Sequence, residues 1–281
     1  MTSLPILDNH VHLDPKGRNI DAAKDFEKAG GTHLILVHLP YDDVPIADVA
    51  DFEDSYAITL KMADRVRNET KLGCDVVLGP HPVLIMEMLR NMSLAEAIEV
   101  MKDGMEAAQR LVLEKKAVAI GEIGRPHFPV DPEVLEASNT IMAYGMSLAK
   151  EAGCPVVLHT ESATPEMMAG LAKMADEAGL ERGRVIKHYC PPLVREEENS
   201  GLFPSVLSSR TAIHQALDKG SRFTMETDYL DDMHRPGAVM AITTVPKRTK
   251  AMLDANVMSP EQAFKIHKEN PEKLYGIEVK G

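Results

Sequence analysis

Short runs of aliphatic and β-branched residues alternate with longer segments of helical spacing along the whole chain, and that alternation restricts the fold more than any other feature. Runs near 4–10, 32–38, 74–79, 117–121, 155–159, 184–188 and 222–227 read as strands. The intervening segments, such as "IDAAKDFEKAG", "SYAITLKMADRVRNET" and "EASNTIMAYGMSLAKEAG", carry apolar residues at helical spacing, several of them closing on a glycine as helix C-caps do. Repeated βα units of this kind build a parallel sheet covered by helices. An eighth strand is expected at 203–207, weakened by Pro204, which has no N–H to give a ladder. Near the end of the chain Ser259, Pro260 and Gln262 form the capping signature of a last helix. The 281 residues suit one α/β barrel, and no linker, low-complexity tract or short repeat divides them. The expected architecture is α/β, a closed (β/α)8 TIM barrel forming a single domain over 1–281, with a doubly wound open sheet as the alternative.

The rest of the composition narrows function by exclusion. A net charge of −12, from 31 basic and 43 acidic side chains, repels polyanions unless a local basic patch opposes it, so no extended nucleic-acid surface is expected. Aromatic residues are 4% with no tryptophan, too few for a long stacking channel on single strands. No apolar run is long enough to cross a bilayer, and the opening "MTSLPILDNHVH" lacks the parts of a signal peptide, so a cytoplasmic protein without a membrane partner is expected. Three cysteines without CxxC spacing fit reduced thiols. The 17 methionines fall largely on helical patterns and read as core.

In a barrel the chemistry sits at the C-terminal ends of the strands. There the chain places His10 and His12, then Glu122, His159, His188 and Asp228, six classical metal ligands on five expected strands. Taken singly, each has a blander reading: a His-x-His pair on a solvated strand, a histidine hydrogen-bonded in a loop, a carboxylate capping a helix. Simple alternation along the first strand also puts Asp8 on the face of His10 and His12. Four imidazoles and two carboxylates suit zinc, manganese, iron or cobalt and leave room for magnesium. The set exceeds what one tetrahedral ion needs, which favours two divalent metal ions sharing a carboxylate.

The landmarks "DNHVHLD", "GPHP", "GEIG", "VVLHTE", "KHYC", "ETD" and "NPEKL", in this order over essentially the whole chain, resemble those of the TatD-like metal-dependent hydrolases of the amidohydrolase superfamily. The resemblance implies a (β/α)8 barrel with His10, His12, Glu122, His159, His188 and Asp228 as metal ligands, Glu122 bridging where two ions bind. It also implies that Glu122 takes the place of the carbamylated lysine found elsewhere in the superfamily, and that Asp228 both ligates a metal and accepts a proton from the attacking water. The family includes nucleases, so phosphodiester hydrolysis at a DNA end, or on a small molecule, is the leading activity. Amide, lactone or phosphotriester hydrolysis on the same centre, and a barrel that binds metal without turnover, are the alternatives. The chain departs from the family pattern after "GEIG", where it reads "RPHFP", after His188, where it reads "YCPP", and after "ETD", where Tyr229, Leu230, Asp231 and Asp232 stand.

Other polar residues are expected near the mouth: His38, His81, His127, Arg125, Lys187 and His234. His81 reads as a substrate contact by resemblance, or as a loop tie through its hydrogen bonds. Arg125 offers a fork of donors to a phosphate or carboxylate, or makes a plain salt bridge. Lys187 has opposite parity to His188 and should face the helices or the rim, while Cys190 shares that parity and reads as a loop thiol without a metal role. The oligomeric state is open.

Overall fold

The computed structural model describes residues 4–280. Nine parallel strands make one sheet: β1 (Leu7–His12), β2 (His33–Val37), β3 (Gly73–Leu78), β4 (Ala119–Gly124), β5 (Val156–His159), β6 (Val185–Cys190), β7 (Phe203–Leu207), β8 (Thr224–Glu226) and β9 (Tyr229–Leu230). Their order is β8-β7-β6-β5-β4-β3-β2-β1-β9. β9 was not foreseen in the sequence, and it explains the closure. It follows β8 after only Thr227 and Asp228, and pairs Val11 with Tyr229 and His12 with Leu230. One segment therefore bonds β7 on one side and β1 on the other, and the sheet curls into a (β/α)-barrel forming a single domain.

The doubtful strand at Phe203–Leu207 is present despite its proline. Pro204 removes one ladder donor, but Phe203 and Val206 keep the pairing with β6, and Ser205 to Leu207 the pairing with β8. Helices alternate with the strands as the periodicity indicates. The longest are Val49–Glu69, Leu94–Leu113 and Pro132–Ala152, and Ser259 and Gln262 form the capping box that opens the last helical stretch.

Two apolar layers result from the pleat. Leu34, Leu36, Val76, Leu78, Ile120 and Leu158 point outward against the helices, where Phe52, Met105, Met142 and Met168 pack on them. Leu7, Ile35, Val37, Val77, Val157 and Ile186 point inward, and Leu274, Tyr275 and Val279 of the C-terminal segment plug the N-terminal end of the barrel beneath them. The other end of the interior is left to polar side chains.

Candidate metal centre

Three strands carry register shifts, each at one of the expected ligands. The ladder slips between Asp8 and Val11, between Gly121 and Ile123, and between Lys187 and Cys190. A bulge adds a residue to one strand and re-aims its side chains. His10, Glu122 and His188 lie within these slips, and all three are buried at the polar end of the barrel. The second glycine of "GEIG" serves the same junction. Gly124 has φ of +144°, and a Cβ there would stand 2.0 Å from the carbonyl oxygen of His159, so only glycine lets the end of β4 approach the end of β5 this closely.

The centre is organised on the two oxygens of Glu122. Oε1 lies 3.0 Å from His159 Nδ1 and 3.1 Å from His188 Nε2. Oε2 lies 3.5 Å from His10 Nε2 and 3.6 Å from His12 Nε2. Asp228 Oδ1 joins the second group at 3.4 Å from His12 Nε2 and 3.9 Å from His10 Nε2. Atoms that share an ion at roughly 2.0–2.2 Å stand about 3–3.6 Å apart; His10, His12 and Glu122 come together as such a set, while on the other face Glu122 and His159 group with His81. The six expected ligands are thus gathered in one place, divided between the two faces of one carboxylate.

A second observation supports a metal fit. Both ring nitrogens of His10 are buried without a hydrogen-bond partner, a costly arrangement for a polar ring in an interior unless an ion completes it. The electrostatics agree. Burial disfavours protonation of His10, but the carboxylates of Glu122, Glu226 and Asp228 outweigh it and push the imidazole up to about 9. Burial likewise opposes ionisation of Glu122, yet His10 and His188 outweigh it and hold the carboxyl well below its usual range. A dication would take over the compensation that a proton on His10 supplies.

The expected ligands are held by a surrounding layer of hydrogen bonds. His12 Nδ1 donates to the Val37 carbonyl oxygen at 2.9 Å, leaving the Nε2 lone pair for the centre. His188 Nδ1 faces Glu226 Oε1 at 3.1 Å, and Glu226 also accepts from the Tyr189 N–H at 2.6 Å and from Ser205 Oγ. Glu226 lies within donor range of His10 and His188 as well. Its oxygens are already engaged and it is fully buried, so it acts as a holder of His188. Its role was missed in the sequence, although it is the first letter of "ETD".

Asp8 corrects a simple expectation. Alternation puts it beside His10 and His12, but the bulge turns it away, and its carboxylate accepts from the Thr227 N–H at 3.0 Å and Thr227 Oγ1 at 2.7 Å. Burial pushes Asp8 up to about 7 against these bonds. It fixes the residue preceding Asp228, which has φ of +50°.

The remaining mouth residues separate. His81 is at the centre, its Nε2 3.9 Å from Glu122 Oε2, and its Nδ1 accepts from the Val83 N–H. Nε2 therefore carries the hydrogen in the metal-free protein, burial drives the ring down to about 3 so that it is neutral, and it lies within donor range of Glu122 and His159. His127 touches His159 Nε2 at 2.8 Å. Arg125 turns away, pairing with Glu161 at 2.8 Å and Asn139 at 3.3 Å beside a separate recess of about 470 Å³. His38 is a core histidine, bonded to Thr59 at 2.9 Å and driven down to about 3 by burial, and His234 is exposed on the loop beyond Asp232. Lys187 is buried, its ammonium on the His188 carbonyl. The bulge breaks the expected parity of Cys190 with His188. Its thiol lies in the outer apolar layer and burial pushes it up to about 12.

The sequence profile described as TatD related DNase matches residues 7–276. The chain belongs to this family. An uncharacterized protein of Methanocaldococcus jannaschii is 39% identical over 282 residues, covering 99% of this chain and 98% of that one. Among solved structures, the TatD homologue YjjV of Escherichia coli K12 is 18% identical with a TM-score of 0.67, covering 97% of this chain and 98% of that chain. The phosphotriesterase homology protein of E. coli, solved with phosphate in its active site, is 14% identical with a TM-score of 0.65 and covers 98% and 99%. At these identities the two structures bear on the fold, which this TatD-family barrel shares with them. Among the described residues no helix is long and apolar enough to cross a membrane.

Proposed function

We propose that the protein is a hydrolase dependent on two divalent ions, acting on phosphodiester or related phosphoester bonds of a small molecule or a short nucleic-acid end. The observation that carries this reading is the division of Glu122, one oxygen facing His159 and His188 and the other facing His10 and His12. Bound there, dications would acidify a water and polarise the bond it attacks. The chain's own residues would do the rest. Asp228, its side chain 15% exposed beside His10 and His12, reaches solvent and would accept the proton. His81 would offer Nε2–H to charge developing on the substrate. A cavity of about 570 Å³ opens one residue past Asp228, where Arg18, Lys28 and Lys247 stand among apolar Leu230, Met233 and Ile242. Asp25, Asp231 and Asp232 line the same cavity and Asp25 pairs with Arg18 at 2.6 Å, so its three cations are balanced and an anionic substrate would rely on the metal ions for its attraction.

Zinc, manganese, iron, cobalt and magnesium all fit a nitrogen and carboxylate set, and a cytoplasmic location is part of the proposal. The test is a panel of phosphodiesters, phosphomonoesters, phosphotriesters, lactones and cyclic amides given to protein loaded with each metal. Turnover of phosphodiesters above the others is expected, whereas metal binding without turnover on any class would reduce the protein to a metal-binding barrel. With an oligonucleotide, cleavage from an end that weakens as salt rises is expected, because binding rests on few cations. Tight binding of long duplex, unaffected by salt, would contradict it.

A pH dependence follows from His10. In metal-free protein the ring is protonated below about 9, so an entering ion must displace that proton. Affinity should rise by about tenfold per pH unit through the neutral range and flatten above the His10 value. Calorimetry in two buffers of different ionisation enthalpy reads the released proton directly. Affinity independent of pH, with no proton released, would show that His10 is already neutral in the metal-free protein.

A further inference from the structure

His127 belongs to the "RPHFP" stretch that departs from the family pattern, and its Nδ1 lies 2.8 Å from Nε2 of His159 while its own ring is exposed. His159 presents its other nitrogen, Nδ1, to Glu122 Oε1 at 3.0 Å. An ionised carboxylate only accepts, so in the metal-free protein a neutral His159 carries its hydrogen on Nδ1. Its Nε2 is then a bare acceptor, and the 2.8 Å contact requires His127 to donate from Nδ1. If a metal takes Nδ1 of His159, the logic reverses: the hydrogen must sit on Nε2, and His127 Nδ1 must accept it.

We propose that His127 is a positioning residue that sets the tautomer of His159, the two rings exchanging tautomers together when a metal occupies His159 Nδ1. The atoms balance. The Nδ1 proton of His159 leaves to water, the Nδ1 proton of His127 crosses the 2.8 Å bond to His159 Nε2, and His127 Nε2 takes a proton from water through its exposed edge. Each ring stays neutral with one hydrogen before and after, so this ligand is delivered to the metal without a change of charge in the pair. His12 and His188 are held differently, by a backbone carbonyl and a carboxylate that can only accept. Only His159 has a partner able to donate or accept. This inference rests on the two-ion reading above.

The test is long-range ¹H–¹⁵N NMR of the imidazoles at about pH 8, above the ordinary imidazole range, on metal-free and zinc-loaded protein, with zinc affinities from competition against a chromophoric chelator. Wild-type His127 is expected as the uncommon Nδ1–H tautomer without metal and as Nε2–H with zinc. His127→Ala should weaken the less tightly held zinc by about 10–100-fold, the usual loss for an outer partner of a ligand. His127→Asn, whose Oδ1 replaces the Nδ1 acceptor, should recover most of it. The proposal is overturned by His127 in the Nε2–H form in the metal-free protein, by His127→Ala binding both zinc ions as wild type does, or by His127→Asn binding no better than alanine. A wild-type protein that takes up no zinc sinks the two-ion reading and the exchange with it, while the metal-free spectrum still decides the hydrogen bond between the rings.

Discussion

Glu122→Gln is expected to lose metal at both positions and, as a result, nearly all turnover. The amide keeps the shape of the carboxylate and one acceptor oxygen, but its nitrogen is a donor facing His159 and His188 or His10 and His12, whichever way it turns. The negative charge that would draw the two proposed cations to one buried point is gone. Removing an outer partner of a ligand costs about 10–100-fold in metal affinity, and a group that belongs to both donor sets should cost more than about a hundredfold. The fold should survive. Glu122 helps push His10 up to about 9, and without it His10 can give up its proton and remain neutral in the interior. Elemental analysis after dialysis, circular dichroism and turnover at saturating metal separate these effects. A folded variant that retains two ions would show that Glu122 bridges nothing.

What the sequence conveyed and what it hid divide along one physical line. Alternating β and α periodicities specify a parallel barrel because each strand and helix buries its own apolar face, and those faces are written locally. The candidate ligands at the strand ends could be picked out on the same basis. The aim of each side chain could not, since three of the six expected ligands lie in register slips at Asp8–Val11, Gly121–Ile123 and Lys187–Cys190. A single inserted residue reverses the parity of everything after it. For that reason Asp8 and Cys190 seemed to share the face of the histidines and do not. Strand β9 was hidden for a different reason: two residues, Tyr229 and Leu230, carry no period at all, yet their pairing with β1 closes the barrel. Glu226 was hidden because a buried carboxylate that holds a ligand reads like any other strand residue until the backbone of Tyr189 and the hydroxyl of Ser205 are brought to it. His127 stood out as a departure from the family pattern, but only its 2.8 Å approach to His159 gives it a task.

Asp228→Asn should separate the two jobs proposed for that residue. Its Oδ1 stands 3.4 Å from His12 Nε2 and 3.9 Å from His10 Nε2, which makes it an outlying member of a donor set that Glu122, His10 and His12 already fill. Asparagine keeps a carbonyl oxygen in that place, and Asp8 still anchors Thr227 just before it, so metal content and fold should be largely retained. What asparagine lacks is any capacity to take a proton from the attacking water. A carboxylate beside dications is a weak base by itself, but it needs only to receive a proton from a water those ions have acidified toward neutrality, across a short distance. Loss of a positioned base of this kind costs about 10²–10⁴-fold in rate, and a fall in kcat within that range, with metal content near that of the wild type, is expected. Measuring both on the same preparation is decisive. If Asp228→Asn stays nearly as active as wild type with its metal in place, Asp228 is at most a ligand. The proton would then have to leave by another route than His81, whose Nδ1 already accepts from the Val83 N–H and whose Nε2 carries its hydrogen.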